Sequence, residues 1–273
     1  MISWLFYQLA DVLVRVLPAR VADRLGIGLA RLAFAAHLPA RAHLVRNLAR
    51  LLGRSPDPGL EAVAREAFDN FALTFTDFLR LGHADPARLA GAIEVHGAEH
   101  LEAARASGRG VILLSAHLGN WELGAAWLAA QGARVNLVAR PHPSPWVEGF
   151  YARRRDVWGV RRLPGRPVWR GAAAALRRRE WVALMADREA AGRGAPRPRS
   201  VCAWAAALSR RTGALVLPAV IVRRADRGYA AYFERPLEPA AVRAEGFVES
   251  LRRHLRRHAR QWFAFEAMPE GMA

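Results

Sequence analysis

Apolar residues recur three and four positions apart along the first 92 residues, as in Leu44, Leu48 and Leu51. This spacing is typical of amphipathic helices, and the region lacks the short apolar runs that indicate strands. The segment at Pro58 is expected to form a turn before a further helix. That helix carries three phenylalanines on one face: Phe71, Phe75 and Phe78. Such a stripe is usually core, and a wall for lipid or acyl chains is the alternative.

From Ile93 onwards, short apolar runs bounded by glycine, proline and polar residues alternate with helical patterns. This alternation is typical of a mostly parallel sheet with crossover helices. Predicted strands cover residues 110–116, 134–139, 181–186, 214–222 and 229–234, the last following a turn and suited to an edge. Predicted helices cover residues 98–107, 121–131, 145–158, 168–179, 201–212 and 240–262. The sequence predicts an α/β core over residues 93–273, preceded by a helical region over 1–92, in one continuous domain.

The first apolar segment, ISWLFYQLADVLVRVLPARV, is interrupted by Asp11, Arg15 and Pro18. A spanning helix needs about 20 nearly uninterrupted apolar residues, so the segment favours an amphipathic helix lying in a membrane interface. Three aromatic side chains would anchor it there: Trp4, Phe6 and Tyr7. A tilted membrane span and a core helix of a soluble domain stay open as alternatives.

The charge of the chain indicates the kind of partner. The sequence has 41 basic and 24 acidic residues, a formal net charge of +17. Phosphate groups, anionic lipid or an acidic protein would suit such a surface. The chain has no lysine, and its arginine excess is typical of a GC-rich genome, so the sign of the charge says more than its size. The basic segment LRRHLRRHARQWF could face anionic lipid, an acidic carrier protein or solvent. Nucleic acid is disfavoured, because the sequence has no helix-turn-helix, zinc-finger or RNP-like signature.

Metal and disulfide chemistry find little support in the sequence. The single cysteine, Cys202, excludes an internal disulfide and a multi-cysteine metal site. Histidines and carboxylates do not follow a zincin-like spacing, so no metal site is predicted.

The segment AHLGNWE carries the strongest candidate chemistry. His117 follows a buried strand and precedes a helix for which Asn120 is a plausible N-cap. Ligands of open α/β sheets bind at the carboxyl ends of strands, where this histidine falls. Glu122 is expected to fold back onto the imidazole, fix its tautomer and let it take a proton from a hydroxyl. Free backbone amides at the helix start would stabilise an oxyanion, and a nucleophilic Ser115 is the minor alternative.

The stretch VHGAEHLEAARASGRGVILLSAHLGNWELGA resembles the core of the bacterial lipid A biosynthesis acyltransferases, the lauroyl and myristoyl transferases. It is also similar to the phosphatidylinositol mannoside acyltransferases, within the lysophospholipid acyltransferase-like group with its HxxxxD/E motif. The likeness runs from about Arg41 to Pro236. It implies a glycerol-3-phosphate acyltransferase-like fold, with a mostly parallel central sheet flanked by helices.

The resemblance implies acyl transfer from an acyl carrier protein or coenzyme A thioester to a hydroxyl of a glycolipid or phospholipid. His117 would be the general base and Glu122 its orienting partner, with no cofactor beyond the thioester co-substrate. Substrate contacts would come from seven residues: Asn120, Trp121, Arg140, Arg155, Arg170, Asp187 and Arg188. Arg140 and Arg155 could instead be surface arginines, and Asp187 could be a structural cap or ion-pair partner.

One departure from the family pattern follows the ADRE motif, where a short basic stretch, AAGRGAPRPRS, replaces the usual loop. Acceptor identity and acyl-chain selectivity are therefore not carried over, and the arginine-rich tract over residues 190–200 is a candidate lid. The expected location is the cytoplasmic face of a bacterial inner membrane. The alternatives are a lipid hydrolase and a non-enzymatic, basic lipid-binding protein.

Overall fold

The described part of the N-terminal region contains four helices. The computed structural model describes residues 2–83, 93–163, 167–187, 201–241 and 244–268. The first range contains α1 (Ile2–Val16), α2 (Ala19–Ala35), α3 (Pro39–Leu52) and α4 (Pro58–Leu81). The helical pattern is confirmed over these spans, while residues 84–92 lie outside the described residues. The division of the chain at residue 92 stays a prediction.

Helix α4 begins earlier than the sequence pattern predicts. The Asp57 carboxylate accepts a hydrogen bond of 2.6 Å from the Leu60 amide and so caps the helix. Pro58 occupies the first helical position, where its missing N–H costs nothing and its fixed φ suits the helix. The predicted turn at Pro58 is therefore wrong, because Pro58 and Gly59 already belong to the first turn of α4.

The remaining helices alternate with the strands, as predicted. They are α5 (Ala98–Ala106), α6 (Trp121–Ala130), α7 (Pro145–Val157), α8 (Val168–Arg177), α9 (Val201–Thr212) and α10 (Ala244–Arg257). The predicted helix over residues 240–262 is shorter in the structure. It ends at Arg257, and a 3₁₀ turn (Ala259–Gln261) follows it.

In the described part of the chain, seven strands form one mostly parallel sheet. They are β1 (Ile93–His96), β2 (Val111–Ser115), β3 (Val135–Leu137), β4 (Arg161–Arg162), β5 (Trp181–Met185), β6 (Leu215–Arg223) and β7 (Tyr229–Phe233). Their order across the sheet is β1-β7-β6-β2-β5-β3-β4, and β6 and β7 pair antiparallel. The predicted fold class, an α/β protein with a mostly parallel central sheet flanked by helices, is confirmed.

The two edges of the sheet differ from the prediction. Strands β1 and β4 form these edges, and neither was predicted, because the sequences IEVH and RR contain no apolar run. The edge position expected for the strand over residues 229–234 is wrong. Strand β7 lies between β6 and β1.

The sheet is covered on both faces, which explains the continuous apolar sequence of its central strand. In β2, Ile112 and Leu114 face one core cluster with α3, α4, α8 and α9, whereas Val111 and Leu113 face a second with α5 and α6. All four side chains are buried. A strand buried on both faces reads as an unbroken apolar run.

Helices α1 and α2 each leave a line of apolar side chains in solvent. On α1 the exposed residues are Leu5, Phe6, Leu9, Val12 and Val16, and on α2 they are Val21, Leu25, Leu29 and Leu32. These lines are called the exposed apolar stripes below. Within the described ranges, no helix combines the length and apolar character needed to cross a membrane.

Candidate active site

The carboxyl ends of two neighbouring parallel strands bring together a histidine and an aspartate. Ser115 at the end of β2 pairs in register with Met185 at the end of β5. His117 follows Ser115 by two residues, and Asp187 follows Met185 by two residues. Because both strands leave the sheet at the same edge with the same offset, these two side chains lie side by side.

Asp187 is a buried acceptor for three donors. Its Oδ1 lies 2.9 Å from His117 Nδ1, and its Oδ2 accepts from the His117 amide at 3.0 Å and from Trp262 Nε1 at 2.9 Å. Burial by itself would raise the pKa of Asp187, but His117 and these donors together lower that pKa below its ordinary value. Asp187 therefore stays ionised beside the imidazole.

The contact with Asp187 decides which imidazole nitrogen carries the proton. An ionised carboxylate only accepts hydrogen bonds, so Nδ1 is the protonated nitrogen and Nε2 keeps its lone pair. The His117 side chain is 18% exposed, and the Trp121 ring meets it edge-on at 5.0 Å between centroids. Within the described part of the chain, no hydrogen bond joins Ser115 to the imidazole. The geometry gives a base with one oriented, partly accessible nitrogen.

Glu122 does not occupy the place expected for it. Its two carboxylate oxygens accept from Arg155, Oε1 from Nη2 at 2.5 Å and Oε2 from Nε at 2.9 Å. Burial alone would lower the pKa of Arg155, but the ion pair with Glu122 raises it above its ordinary value. The expected contact of Glu122 with the imidazole is thus corrected: Asp187 already occupies Nδ1, and Glu122 faces α7. A role of Glu122 in the reaction stays a prediction.

Asn120 caps α6, as predicted. Its Oδ1 accepts from the Leu123 amide at 3.0 Å, and the side chain is fully buried. Among the described residues, the amides of Trp121 and Glu122 have no hydrogen-bond partner, as expected for the first turn of a helix. Two N–H groups at the start of α6 are therefore free to donate, and the ring of one of these residues, Trp121, contacts the imidazole. Because the Asn120 side chain is buried, the substrate contact predicted for it stays untested, and capping is its observed contribution.

A close backbone approach fixes the turn between β2 and α6. Gly119 has φ +62°, and its amide donates to the Gln261 carbonyl at 2.9 Å. A Cβ at Gly119 would lie 1.9 Å from the Ile221 carbonyl oxygen. Only glycine fits this position, because both the backbone angle and the space exclude a side chain.

Substituting Gly119 should destabilise the protein more than substituting a glycine that has space around it. We expect Gly119→Ala to lower the free energy of unfolding by about 2 to 5 kcal/mol, from strained backbone plus overpacking. Gly132 is the control, because its φ is also positive and nothing lies within 4 Å of its Cβ position. Gly132→Ala should cost only about 1 to 2 kcal/mol. Equal losses in urea unfolding would contradict the close approach.

Among the described residues, Arg140 and Arg170 have contacts with side chains other than His117. Arg140 is 55% exposed and lies 3.7 Å from Glu266, and Arg170 is exposed with its guanidinium 5.4 Å from the centre of the Trp169 ring. Their substrate contacts stay predictions. Arg188 and the candidate lid over residues 190–200 lie outside the described residues.

One part of the site was not predicted. The segment after the 3₁₀ turn contacts the turn between β2 and α6: the Phe263 amide donates to the His117 carbonyl at 2.8 Å, and Trp262 donates to Asp187. Trp262 is 75 residues from Asp187 along the chain, and no sequence spacing links them. The contact between Asp187 and His117, by contrast, could have been predicted, because each residue follows the end of its strand, β5 or β2, by two positions.

By its chemistry, the arrangement can act as an acid–base centre for a hydroxyl or a water, and the free amides at the start of α6 can donate to a developing oxyanion. This combination defines the class of acyl-transfer and acyl-hydrolysis sites in which histidine is the base. A serine or cysteine nucleophile is not needed for either reaction.

Sequence comparison places the chain among the acyltransferases. The family described as bacterial lipid A biosynthesis acyltransferase matches residues 1–253. The chain therefore belongs to the bacterial lipid A biosynthesis acyltransferase family, as the resemblance of the HLGNWE region indicated.

Similar proteins include two phosphatidylinositol mannoside acyltransferases. The Mycolicibacterium smegmatis protein is 30% identical over 182 residues, covering 65% of this chain and 59% of that protein. The protein of Mycobacterium tuberculosis strain H37Rv is 29% identical over 187 residues, covering 64% of this chain and 59% of its own length. The chain thus matches less than two thirds of these relatives. The crystal structure of the 1-acyl-sn-glycerophosphate acyltransferase PlsC from Thermotoga maritima is a distant likeness, with 14% identity, a TM-score of 0.41, and coverage of 88% of this chain and 99% of that one.

Proposed function

We propose that this protein is a membrane-associated O-acyltransferase that moves a fatty acyl chain from a carrier-protein or coenzyme A thioester to a lipid hydroxyl. The observation that carries the proposal is the His117 imidazole, whose Nδ1 is held by buried Asp187 while Nε2 is left for the acceptor. Membership of an acyltransferase family supports the same reaction class.

The proposed reaction needs only groups of this chain and its two substrates. His117 Nε2 takes the proton of the acceptor hydroxyl as the oxygen attacks the thioester carbonyl. The amides of Trp121 and Glu122 stabilise the oxyanion. The carbon–sulfur bond then breaks, and the imidazolium returns its proton to the leaving thiolate. The products are an ester and a free thiol, and no cofactor takes part.

In this proposal two carboxylates, Asp187 and Glu122, support the reaction in different ways. Asp187 orients the imidazole and stabilises the imidazolium, as a buried carboxylate does in a catalytic triad. Glu122 and Arg155 form a buried ion pair, with side chains 9% and 13% exposed, that joins the start of α6 to α7. The pair would keep the free amides in place without contacting the imidazole.

The acceptor is proposed to be a glycolipid or phospholipid, similar to a lipid A precursor. The names of the family and of the mycobacterial relatives, lipid A and phosphatidylinositol mannoside, support a sugar-bearing lipid. The acyl donor is left as either thioester, because the contacts of the basic segment do not distinguish them. Two arginines of the basic segment bind other parts of the protein: Arg256 donates to the Leu51 carbonyl, and Arg260 pairs with Glu66.

Membrane docking is proposed through the exposed apolar stripes of α1 and α2. Leu9 and Leu29 are 59% and 56% exposed, and burying such side chains in a lipid interface is favourable. Trp4 packs near Trp146, which is 67% exposed, and this places a second aromatic ring beside α1. Of the three predicted aromatic anchors, Tyr7 is the least suited, because its ring packs inward against Phe150 and Phe75. The proposed location is the cytoplasmic face of a bacterial inner membrane.

Charged residues in the two stripes should release the protein from vesicles. We expect Leu9→Glu with Leu29→Glu to lower binding to anionic vesicles by at least about tenfold, because each leucine contributes roughly 1.5 to 3 kcal/mol when buried. Vesicle sedimentation measures this. The control, Val157→Glu with Gln131→Glu, adds the same charge at exposed positions outside the stripes. Equal sedimentation of both variants and the parent would contradict docking through α1 and α2.

The reaction class can be tested with substrates supplied separately. Purified protein is mixed with palmitoyl-coenzyme A or palmitoyl carrier protein, with and without a bacterial lipid extract, while thiol release and lipid masses are followed. We expect thiol release to require lipid and to match a new acylated lipid. Thiol release without lipid would favour the hydrolase alternative. Lipid binding with no thiol release would favour a non-enzymatic, basic lipid-binding protein.

A further inference from the structure

A buried chain of hydrogen bonds reaches the start of α6 from α4 and β7. Asn120 Nδ2 donates to the hydroxyl of Tyr229 at 3.2 Å, and the Tyr229 hydroxyl donates to Asp77 of α4. Asn120 is fully buried and Tyr229 is 7% exposed. These contacts are separate from the His117 contacts with Asp187, and the proposed reaction has not used them.

Asp77 is itself held in place by two arginines. Arg223 of β6 and Arg80 of α4 both donate to it, Arg80 Nη1 at 2.9 Å. Arg80 also pairs at 2.7 Å with Asp23, a buried residue of α2. The acceptor of the Tyr229 hydroxyl is therefore anchored to two further elements, to β6 through Arg223 and to α2 through Arg80.

In this chain of hydrogen bonds, the donor and the acceptor of each bond are fixed. Burial, and then the neighbouring Asp77 charge, raise the pKa of Tyr229 well above its ordinary value, so the hydroxyl keeps its proton. That proton points to Asp77, which leaves a hydroxyl lone pair for an N–H donor. The side chain of Asn120 must therefore present Nδ2 to Tyr229 and Oδ1 to the Leu123 amide. The orientation of the capping amide is thus set from outside α6.

We propose that Tyr229 and Asp77 are positioning residues for the acyl transfer proposed above, on which this inference rests. They orient Asn120, and Asn120 in turn holds the first turn of α6. That turn carries the free amides of Trp121 and Glu122 and the Trp121 ring against His117. A loosened cap would shift the oxyanion donors while leaving His117 and Asp187 in contact.

The variant Tyr229→Phe tests this role, because it removes only the hydroxyl. We expect kcat to fall by about 10-fold to 10²-fold, since displacing oriented groups by about 1 Å costs that much. KM for the thioester should stay within about twofold, because the amides act in the transition state. Amide hydrogen exchange over residues 118–124 should become faster. Tyr232→Phe, on the same strand, is the control and should change none of these.

A second variant separates positioning from general destabilisation. Asn120→Ser keeps an oxygen for the cap, but its side chain is too short to reach Tyr229. We expect the same fall in kcat, with no further fall when Tyr229→Phe is added, because both act through one contact. Asn120→Ser also tests the positioning role by itself if Tyr229→Phe does not accumulate as folded protein. Parental kcat in Asn120→Ser, or additive losses in the double variant, would overturn the positioning role.

The variant His117→Ala distinguishes failure of this inference from failure of the proposed function. If His117→Ala stops turnover while Tyr229→Phe behaves like Tyr232→Phe, only the positioning role is lost. If His117→Ala turns over like the parent, the proposed function fails and the positioning role fails with it.

Discussion

Replacing His117 by alanine should reduce acyl transfer by about 10² to 10⁴, the usual contribution of a positioned general base. The loss should appear in kcat, because the imidazole acts on the acceptor hydroxyl during the chemical step. Thiol release and acylated lipid, measured together at saturating thioester, report it. Residual turnover is expected, since the free amides at the start of α6 and substrate binding remain.

The control for this variant is His100→Ala, which removes a partly exposed histidine of α5 outside the site. It should retain parental turnover. Both proteins should be compared by thermal unfolding, because alanine also removes the contact of His117 with buried Asp187. Parental turnover in a folded His117→Ala protein would defeat the general-base mechanism.

The position of the histidine was predictable from sequence because local signals agree there. A fully apolar strand, a glycine, a capping asparagine and a helix follow one another within a short segment, and each has one favoured conformation. Gly119 allows the positive φ, and Asn120 ends the turn by capping α6. Parallel strands buried on both faces can also be recognised in the sequence, because they are apolar runs. For these reasons the core strands and the place of His117 follow from the residues alone.

The partner of the histidine was not predictable in the same way. Glu122 is close in sequence, and a folded-back turn was a reasonable route to the imidazole. Which carboxylate reaches Nδ1, however, depends on the strand order, since β5 lies beside β2 only in the folded sheet. Arg155, supplied by α7, then binds Glu122. Contacts set by strand order and by long-range packing, including Trp262 against Asp187, leave no local pattern.

Replacing Asp187 by asparagine should be nearly as damaging as removing the histidine, at roughly 10² to 10⁴ in kcat. Oδ2 accepts from two N–H groups, the His117 amide and Trp262 Nε1, so the amide oxygen must take that place. The amide nitrogen then faces His117 Nδ1 and donates to it. The imidazole proton is forced onto Nε2, which loses the lone pair that the acceptor hydroxyl needs. The shape of the site is kept while its base is disabled.

The comparison with Glu122→Gln makes this prediction specific. Glutamine keeps the size of Glu122 and can still accept from Arg155, so the imidazole and its tautomer are not affected. We expect a smaller fall in kcat, together with reduced thermal stability, because the buried guanidinium of Arg155 loses its countercharge. Both variants are assayed for thiol release beside the parent. A large loss in Glu122→Gln with parental turnover in Asp187→Asn would show that Glu122, and not Asp187, supports the histidine during the reaction.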